Sequence, residues 1–132
     1  MEAKVGVGTQ EKQFCILVAE DDVLVRMVIS DYLRDCGYHV IEAGTADEAL
    51  TVLEKSDVHI NALFTDVQMP GKLDGFDLAR IVGEKWPDVK VVLASGYSPK
   101  IEAAQELCTG PNFFNKPYRV TDIETRLREL MA

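Results

Sequence analysis

The sequence has 132 residues, of which 22 are acidic and 14 are basic, so its formal net charge at pH 7 is −8. This length suits one domain with a substantial core, no apolar run approaches the roughly 20 residues of a membrane-spanning helix, and the acidic balance argues against direct binding of nucleic acid. The three cysteines are odd in number and lack metal-ligand spacing, so they are predicted to be free, mostly buried thiols of a cytoplasmic protein.

Short apolar runs recur along the chain from Phe14 onward. Continuous runs of this kind are typical of strands covered on both faces, as in parallel sheets. The second run is more polar, which suits an edge strand. Residues 1–13 lack apolar periodicity and are predicted to form a flexible tail before one domain over 14–132. The predicted strands are Phe14–Ala19, His39–Ala43, Ile60–Thr65, Val89–Ala94 and Asn112–Phe114.

A helical pattern follows each of these runs, and each has a recognisable start or stop signal. Together the runs and helices form consecutive βα units, which predict a doubly wound parallel sheet with right-handed crossovers. The helix signals, in chain order, are the stripe Val25–Cys36 before Gly37, the capping box Thr45–Glu48, the segment Gly75–Trp86 before Pro87, the pair Ser98–Pro99, and the capping box Thr121–Glu124 beside a stripe of Ile123, Leu127 and Leu130.

Polar side chains follow four of the predicted strands. Acids follow the first strand at Glu20–Asp22 and the third at Asp66, Ser95 follows the fourth, and Lys116 follows the fifth. Since ligands of open α/β sheets bind at the carboxyl ends of the strands, these groups should meet at one edge. Clustered carboxylates favour Mg²⁺, an aspartate can form an acyl phosphate, and lysine and serine suit phosphate. Each of these residue types is one that carboxyl phosphorylation would need.

The segments around these strand ends resemble the receiver domain of two-component response regulators, from about Phe14 to Met131. Their occurrence in this order makes the resemblance specific. It implies a flavodoxin-like (βα)5 fold with parallel strands in the order 2-1-3-4-5. The segments are LVAEDD (Leu17–Asp22) with Arg26 following, LFTDVQMP (Leu63–Pro70) with the pair Asp74–Gly75, VVLASGY (Val91–Tyr97) and FFNKP (Phe113–Pro117).

The resemblance implies that Asp66 is the phosphoacceptor and that Mg²⁺ is the cofactor. Aligning LVAED with the family pattern makes Glu20 and Asp21 the acidic pair, rather than Asp21 and Asp22. Asp21 is then expected to bind Mg²⁺ directly, Glu20 through water, and Gln68 through its backbone carbonyl. The loop Met69–Gly75 is one residue longer than the commonest form of the family.

The remaining motif residues are expected to sense the phosphoryl group. Ser95 would bind a phosphoryl oxygen and move toward it, and Phe113 would turn inward as the switch aromatic. Lys116 would pair with Asp66 or its phosphate, and the peptide bond before Pro117 is often cis in this family. Tyr97 is bulky enough to shield the site from water.

The predicted function is a phosphorylation switch in a two-component system. A histidine kinase or a histidine phosphotransfer protein would donate the phosphoryl group, the transfer would be self-catalysed, and an unidentified downstream protein would respond. A monomer or weak dimer without an output domain is expected. One alternative is a receiver-like interaction module that works without phosphorylation. Another is a Mg²⁺-dependent phosphatase with an aspartyl nucleophile, which commonly has a second aspartate where this chain has Gln68.

Overall fold

The computed structural model describes residues 13–96 and 112–132; strands and helices alternate within the first range, and a strand and a helix follow in the second. The predicted tail before Gln13 and the predicted helix at Ser98 fall outside these residues. The elements are β1 (Cys15–Ala19), α1 (Val23–Asp35), β2 (His39–Ala43), α2 (Ala46–Lys55), β3 (Ala62–Asp66), α3 (Gly75–Lys85), β4 (Lys90–Ser95), β5 (Phe113–Asn115) and α4 (Val120–Met131).

The strands form one five-stranded parallel sheet in the order β2-β1-β3-β4-β5. The predicted fold class and strand order are therefore confirmed. The central strands β1 and β3 are buried at every position, as their continuous apolar runs require. β2 lies at an edge and is exposed at its first residue, in agreement with its more polar sequence.

Helices cover both faces of this sheet. Cys15, Leu17 and Ala19 of β1 belong to the core on the side of α2 and α3, whereas Ile16 and Val18 belong to the core on the side of α1 and α4. This alternation follows from the two-residue repeat of a strand. Among residues 13–96 and 112–132, none of the helices combines the length and hydrophobicity needed to cross a membrane.

The predicted apolar stripe of α1 was wrong in part. Ile29 and Leu33 are buried against the sheet, but Val28 is 60% exposed and Cys36 is also exposed. Val28 and Ile29 are successive residues and so differ in direction by about 100° on a helix, which leaves only one of them facing the core. Cys15 is a buried free thiol, as predicted, and Cys108 lies outside the described residues.

The helix starts agree with the sequence signals at α2 but not at α4. The Thr45 hydroxyl accepts a hydrogen bond from the Glu48 amide, 3.0 Å away, at the start of α2. In contrast, α4 begins at Val120, after Arg119, so the predicted box at Thr121 is incorrect. The Glu124 carboxylate turns inward instead and accepts a 2.7 Å hydrogen bond from the Tyr38 hydroxyl.

Candidate metal and phosphoacceptor site

Glu20 directly follows β1 and is held by hydrogen bonds at both its backbone and its carboxylate. Its amide donates to the Ala43 carbonyl at 3.0 Å, which extends the pairing of β1 with β2 by one residue. Its Oε2 accepts from the Asp22 amide at 3.0 Å. The residue is only 1% exposed, and its Oε1 is buried without a hydrogen-bond partner among the described residues. Such an oxygen is a candidate ligand for a cation.

Asp22 plays a different part from its two acidic neighbours. Its Oδ1 accepts from the amides of Leu24 and Val25 at 3.0 and 3.1 Å, so this side chain is the N-cap of α1. Glu20 and Asp21 are left to face the sheet edge together with Asp66. The geometry therefore supports Glu20 and Asp21 as the acidic pair.

Asp66 is the last residue of β3 and is 4% exposed. Its Oδ1 has no hydrogen-bond partner in the described part of the chain, and its Oδ2 lies 3.5 Å from the Lys116 Nζ. Glu20, Asp21 and Asp66 each offer a carboxylate oxygen, and these oxygens lie within 4.8 Å of one another. Three carboxylates this close repel each other unless a cation joins them.

Burial has a strong effect on the acidity of two of these carboxylates. It raises the pKa of Glu20 to about 7, and the nearby charge of Asp66 adds to the effect. Burial also raises the pKa of Asp66, while the charge of Lys116 and hydrogen bonds from Lys116 and the Gln68 backbone lower it. A divalent cation at this site would have to displace these protons from the carboxylates.

The Lys116 ammonium group lies close to both Asp66 and Glu20. Its Nζ lies 3.5 Å from Asp66 Oδ2 and 4.0 Å from Glu20 Oε1. It follows β5, and its amide donates to the Ser95 carbonyl at 2.9 Å, which ties it to the end of β4. The Lys116–Pro117 peptide bond is cis, as the sequence resemblance implied.

Ser95 and Gln68 also lie at this edge. Ser95 ends β4 and is fully buried, and its hydroxyl donates to the Gly96 carbonyl at 3.1 Å. Gln68 is exposed on the loop after β3, and its backbone is close enough to the Asp66 carboxylate to lower the pKa of that group. Tyr97 is outside the described residues.

Phe113, the predicted switch aromatic, begins β5 and is half-buried. It packs against a small cluster of Val67, Phe76 and Leu93. Val67 directly follows Asp66, so this cluster connects the phenyl ring to the acceptor strand through packed side chains.

Gly75 is a site residue whose role the sequence did not reveal, although its pairing with Asp74 was noted. It begins α3, and its amide donates to the Val67 carbonyl at 2.7 Å. A Cβ at this position would overlap the Asp66 carbonyl oxygen and would lie 2.6 Å from Val67 Cα and 2.9 Å from the Asp66 carbonyl carbon. Only glycine lets α3 approach the acceptor backbone this closely.

An exposed apolar surface adjoins the acidic loop. The first two turns of α1 expose Val23, Leu24, Met27 and Val28 by 55, 73, 48 and 60%. We refer to these residues as the α1 patch. It starts one residue after Asp22, next to the acidic cluster, and clustered exposed apolar residues commonly mark an interaction surface.

The raised pKa values predict how stability depends on pH. In metal-free protein, the folded state keeps a proton on Glu20 that the unfolded state loses above its ordinary pKa of 4.5. The free energy of unfolding should therefore fall as pH rises from about 4.5 to about 7, and Asp66 adds a change of the same sign. Urea unfolding in chelator, compared at about pH 5.5 and about pH 8, measures this. Glu20→Gln should flatten the dependence, and an unchanged slope in that variant would contradict the prediction.

Comparison with known proteins agrees with this geometry. The sequence matches the response regulator receiver domain family over residues 16–128. It is 31% identical to the sensor kinase CckA of Brucella abortus over 88% of this chain and 12% of that protein. It is 28% identical to the response regulator receiver protein CpdR of Brucella abortus over 88% of this chain and 95% of CpdR.

Some other matched proteins are much longer than this chain, which spans 47% of a probable transcriptional regulator of Cyanophora paradoxa. Among solved structures, the receiver domain of the hybrid histidine kinase CckA superposes with a TM-score of 0.71 and 30% identity, over 89% of this chain and 99% of that one. The chain therefore belongs to the response regulator receiver domain family, the phosphoacceptor domains of two-component systems.

Proposed function

We propose that Asp66 is the phosphoacceptor of this receiver domain and that its phosphorylation requires Mg²⁺. The observation that carries the proposal is the environment of the Asp66 carboxylate. It is nearly fully buried, lies 3.5 Å from the Lys116 ammonium, and has an oxygen within 4.8 Å of oxygens of Glu20 and Asp21. This combination supports a role for Asp66 as a nucleophile that acts next to a bound cation and the positive charge of Lys116.

The residues at this edge fit Mg²⁺ by their chemistry. All the available ligands are hard oxygens, and the Glu20 Oε1 and Asp66 Oδ1 atoms have no hydrogen-bond partner among the described residues. Asp21 and Asp66 would bind the ion directly, Glu20 through water, and Gln68 through its backbone carbonyl. When bound, Mg²⁺ would neutralise charge on the phosphoryl group during transfer.

The chain's own residues would act as follows. A carboxylate oxygen of Asp66 forms the new bond to phosphorus while the bond between phosphorus and the donor breaks, and the donor departs with that electron pair. Lys116 then balances charge on the phosphoryl oxygens. The Ser95 hydroxyl would leave the Gly96 carbonyl to bind a phosphoryl oxygen, which makes room for Phe113 to turn inward.

Metal removal tests this proposal. We expect the wild-type protein, incubated with acetyl phosphate and Mg²⁺, to gain one phosphoryl group by intact mass. Excess chelator should abolish the gain because the acids would then repel the incoming phosphate. No gain in Mg²⁺, together with no spectral change on adding beryllofluoride, would contradict the proposal and favour the phosphorylation-independent interaction module.

The phosphodonor is proposed to be a histidine kinase or a histidine phosphotransfer protein that docks on the α1 patch. The patch starts beside the acidic loop, so a partner seated there is within reach of Asp66. Its exposed side chains are apolar, which favours a partner with a complementary apolar face. We also propose a cytoplasmic location, on the basis of the receiver-domain family.

Leu24→Asp tests this docking surface. Leu24 is 73% exposed, so the change should leave folding intact. The rate of transfer from a purified histidine kinase at limiting concentration should fall about tenfold, the usual effect of losing one interface anchor. Phosphorylation by acetyl phosphate should not change.

Val58→Asp is the matched control. Val58 is also exposed, by 47%, but it precedes the amino end of β3, whereas Asp66 lies at the carboxyl end of that strand. It should transfer at the wild-type rate. Equal losses in both variants would indicate a general effect of charge, and no loss in Leu24→Asp would exclude the patch as the donor surface.

A further inference from the structure

Arg26 of α1 contacts the backbone of the acidic loop. Its Nη1 donates a 2.8 Å hydrogen bond to the carbonyl of Glu20. Since the Glu20 amide is bonded to the Ala43 carbonyl, both backbone polar groups of this residue have a partner. Arg26 therefore fixes the orientation of the peptide that joins Glu20 to Asp21.

The guanidinium is itself anchored on β2. Arg26 Nε lies 3.2 Å from Glu42 Oε1, in a pair whose side chains are 20 and 29% exposed. A Cβ at Gly44 would lie 3.3 Å from Arg26 Nη1, so the absence of a side chain at Gly44 leaves room for the guanidinium. The planar guanidinium of Arg26 therefore bridges the Glu42 carboxylate of β2 and the Glu20 carbonyl of the loop.

Arg26 reaches the acids through the backbone of the loop. Its charge is paired with Glu42, and its other hydrogen bond goes to the Glu20 carbonyl. Groups that orient metal ligands commonly affect metal affinity about 10- to 100-fold.

We infer that Arg26 is a positioning residue that sets the affinity of the site for Mg²⁺ by holding the loop of Glu20 and Asp21 in its ligating arrangement. This inference rests on the proposed function. Among the described residues, the hydrogen bonds and ion pair of Arg26 go to the Glu20 carbonyl and to Glu42 rather than to a carboxylate of the acidic cluster, so its loss should weaken Mg²⁺ binding without removing the site.

Titration calorimetry with Mg²⁺ alone tests the inference without any phosphodonor. Arg26→Gln should bind Mg²⁺ about tenfold more weakly than wild type. Arg26→Lys should bind Mg²⁺ nearly as weakly, because a single ammonium group cannot bridge the two partners that the guanidinium contacts. Recovery of wild-type affinity by lysine would show that only charge matters and would overturn the inference.

Arg34 provides the matched control on the same helix. It also pairs with Glu42, at 3.0 Å, but its other hydrogen bond goes to the Val40 carbonyl, away from the acids. Arg34→Gln should bind Mg²⁺ like wild type, and equal weakening in Arg26→Gln and Arg34→Gln would also overturn the inference.

Thermal unfolding of each variant identifies any that do not fold. If Arg26→Gln is unfolded, Glu42→Gln keeps both arginines and removes the carboxylate with which each of them pairs, and it should give a smaller loss of affinity. Unchanged affinity in Glu42→Gln would then count against the inference. If the wild-type protein itself binds no Mg²⁺, the proposed function fails. If the wild type binds Mg²⁺ and the Arg26 variants bind it equally well, only the positioning role of Arg26 is refuted.

Discussion

Replacement of Asp66 by asparagine is expected to abolish phosphorylation by acetyl phosphate. The variant keeps the shape of the side chain but loses the carboxylate that would attack phosphorus, and the carboxylates of Glu20 and Asp22 are already engaged in hydrogen bonds. Glu20 is buried and hydrogen-bonded to the Asp22 amide, and Asp22 caps α1. Intact mass measured in Mg²⁺ should therefore show no phosphoryl group. The rate of phosphorylation should fall at least about 100-fold, as expected when a nucleophile is removed.

Asp22→Asn serves as the control for this change. Asparagine is as good an N-cap as aspartate, so α1 and the fold should be retained. Because the Asp22 carboxylate is committed to the helix, this variant should gain one phosphoryl group like the wild type. Phosphorylation of Asp66→Asn, or its loss in Asp22→Asn, would mean that the acceptor has been assigned to the wrong acid.

Gly75→Ala is expected to destabilise the fold by about 3 kcal/mol, at the upper end of overpacking effects. The added methyl group would meet the backbone of Asp66 and Val67 rather than a flexible side chain, so α3 would have to move away from β3. That movement would also break the 2.7 Å hydrogen bond from Gly75 to Val67. Urea unfolding followed by circular dichroism measures the change.

Gly83→Ala is the matched substitution on the same helix. Apart from its chain neighbours and the nearby backbone of α3 itself, no described atom lies within 4 Å of the position that a methyl group at Gly83 would occupy, so alanine would enter open space. Since alanine favours a helix interior over glycine, stability should rise by about 0.5–1 kcal/mol. Similar destabilisation in both variants would show that helix flexibility, and not the contact with Asp66, explains the effect at Gly75.

The sheet and the position of the site could be predicted because both depend on short-range patterns. Each predicted strand overlaps an observed strand, and their ends differ by at most two residues. The carboxyl ends of parallel strands meet at one edge, so strand boundaries alone were enough to bring Asp66 and Lys116 together. The strand order came from the resemblance of the motifs, since apolar runs do not specify which strands are neighbours.

The features that could not be predicted depend on contacts between distant parts of the chain. Thr121 and Glu124 have the spacing of a capping box, but Tyr38, 86 residues from Glu124, engages the carboxylate instead. Apolar residues line more than one side of α1, so periodicity could not decide whether Val28 or Ile29 faces the core. The close approach of Gly75 to Asp66 likewise exists only once α3 packs on β3.

The position of Lys116 has a consequence for local stability. The acids are held by β1 and β3 in the middle of the sheet, whereas Lys116 follows β5, a strand of three residues at the edge. Short edge elements open at a lower free energy than central strands, without unfolding the rest of the domain. Brief opening of β5 would therefore withdraw the positive charge from Asp66 while the acidic cluster remains assembled. The charge balance of the acceptor site is thus expected to depend on a short strand at the edge of the sheet.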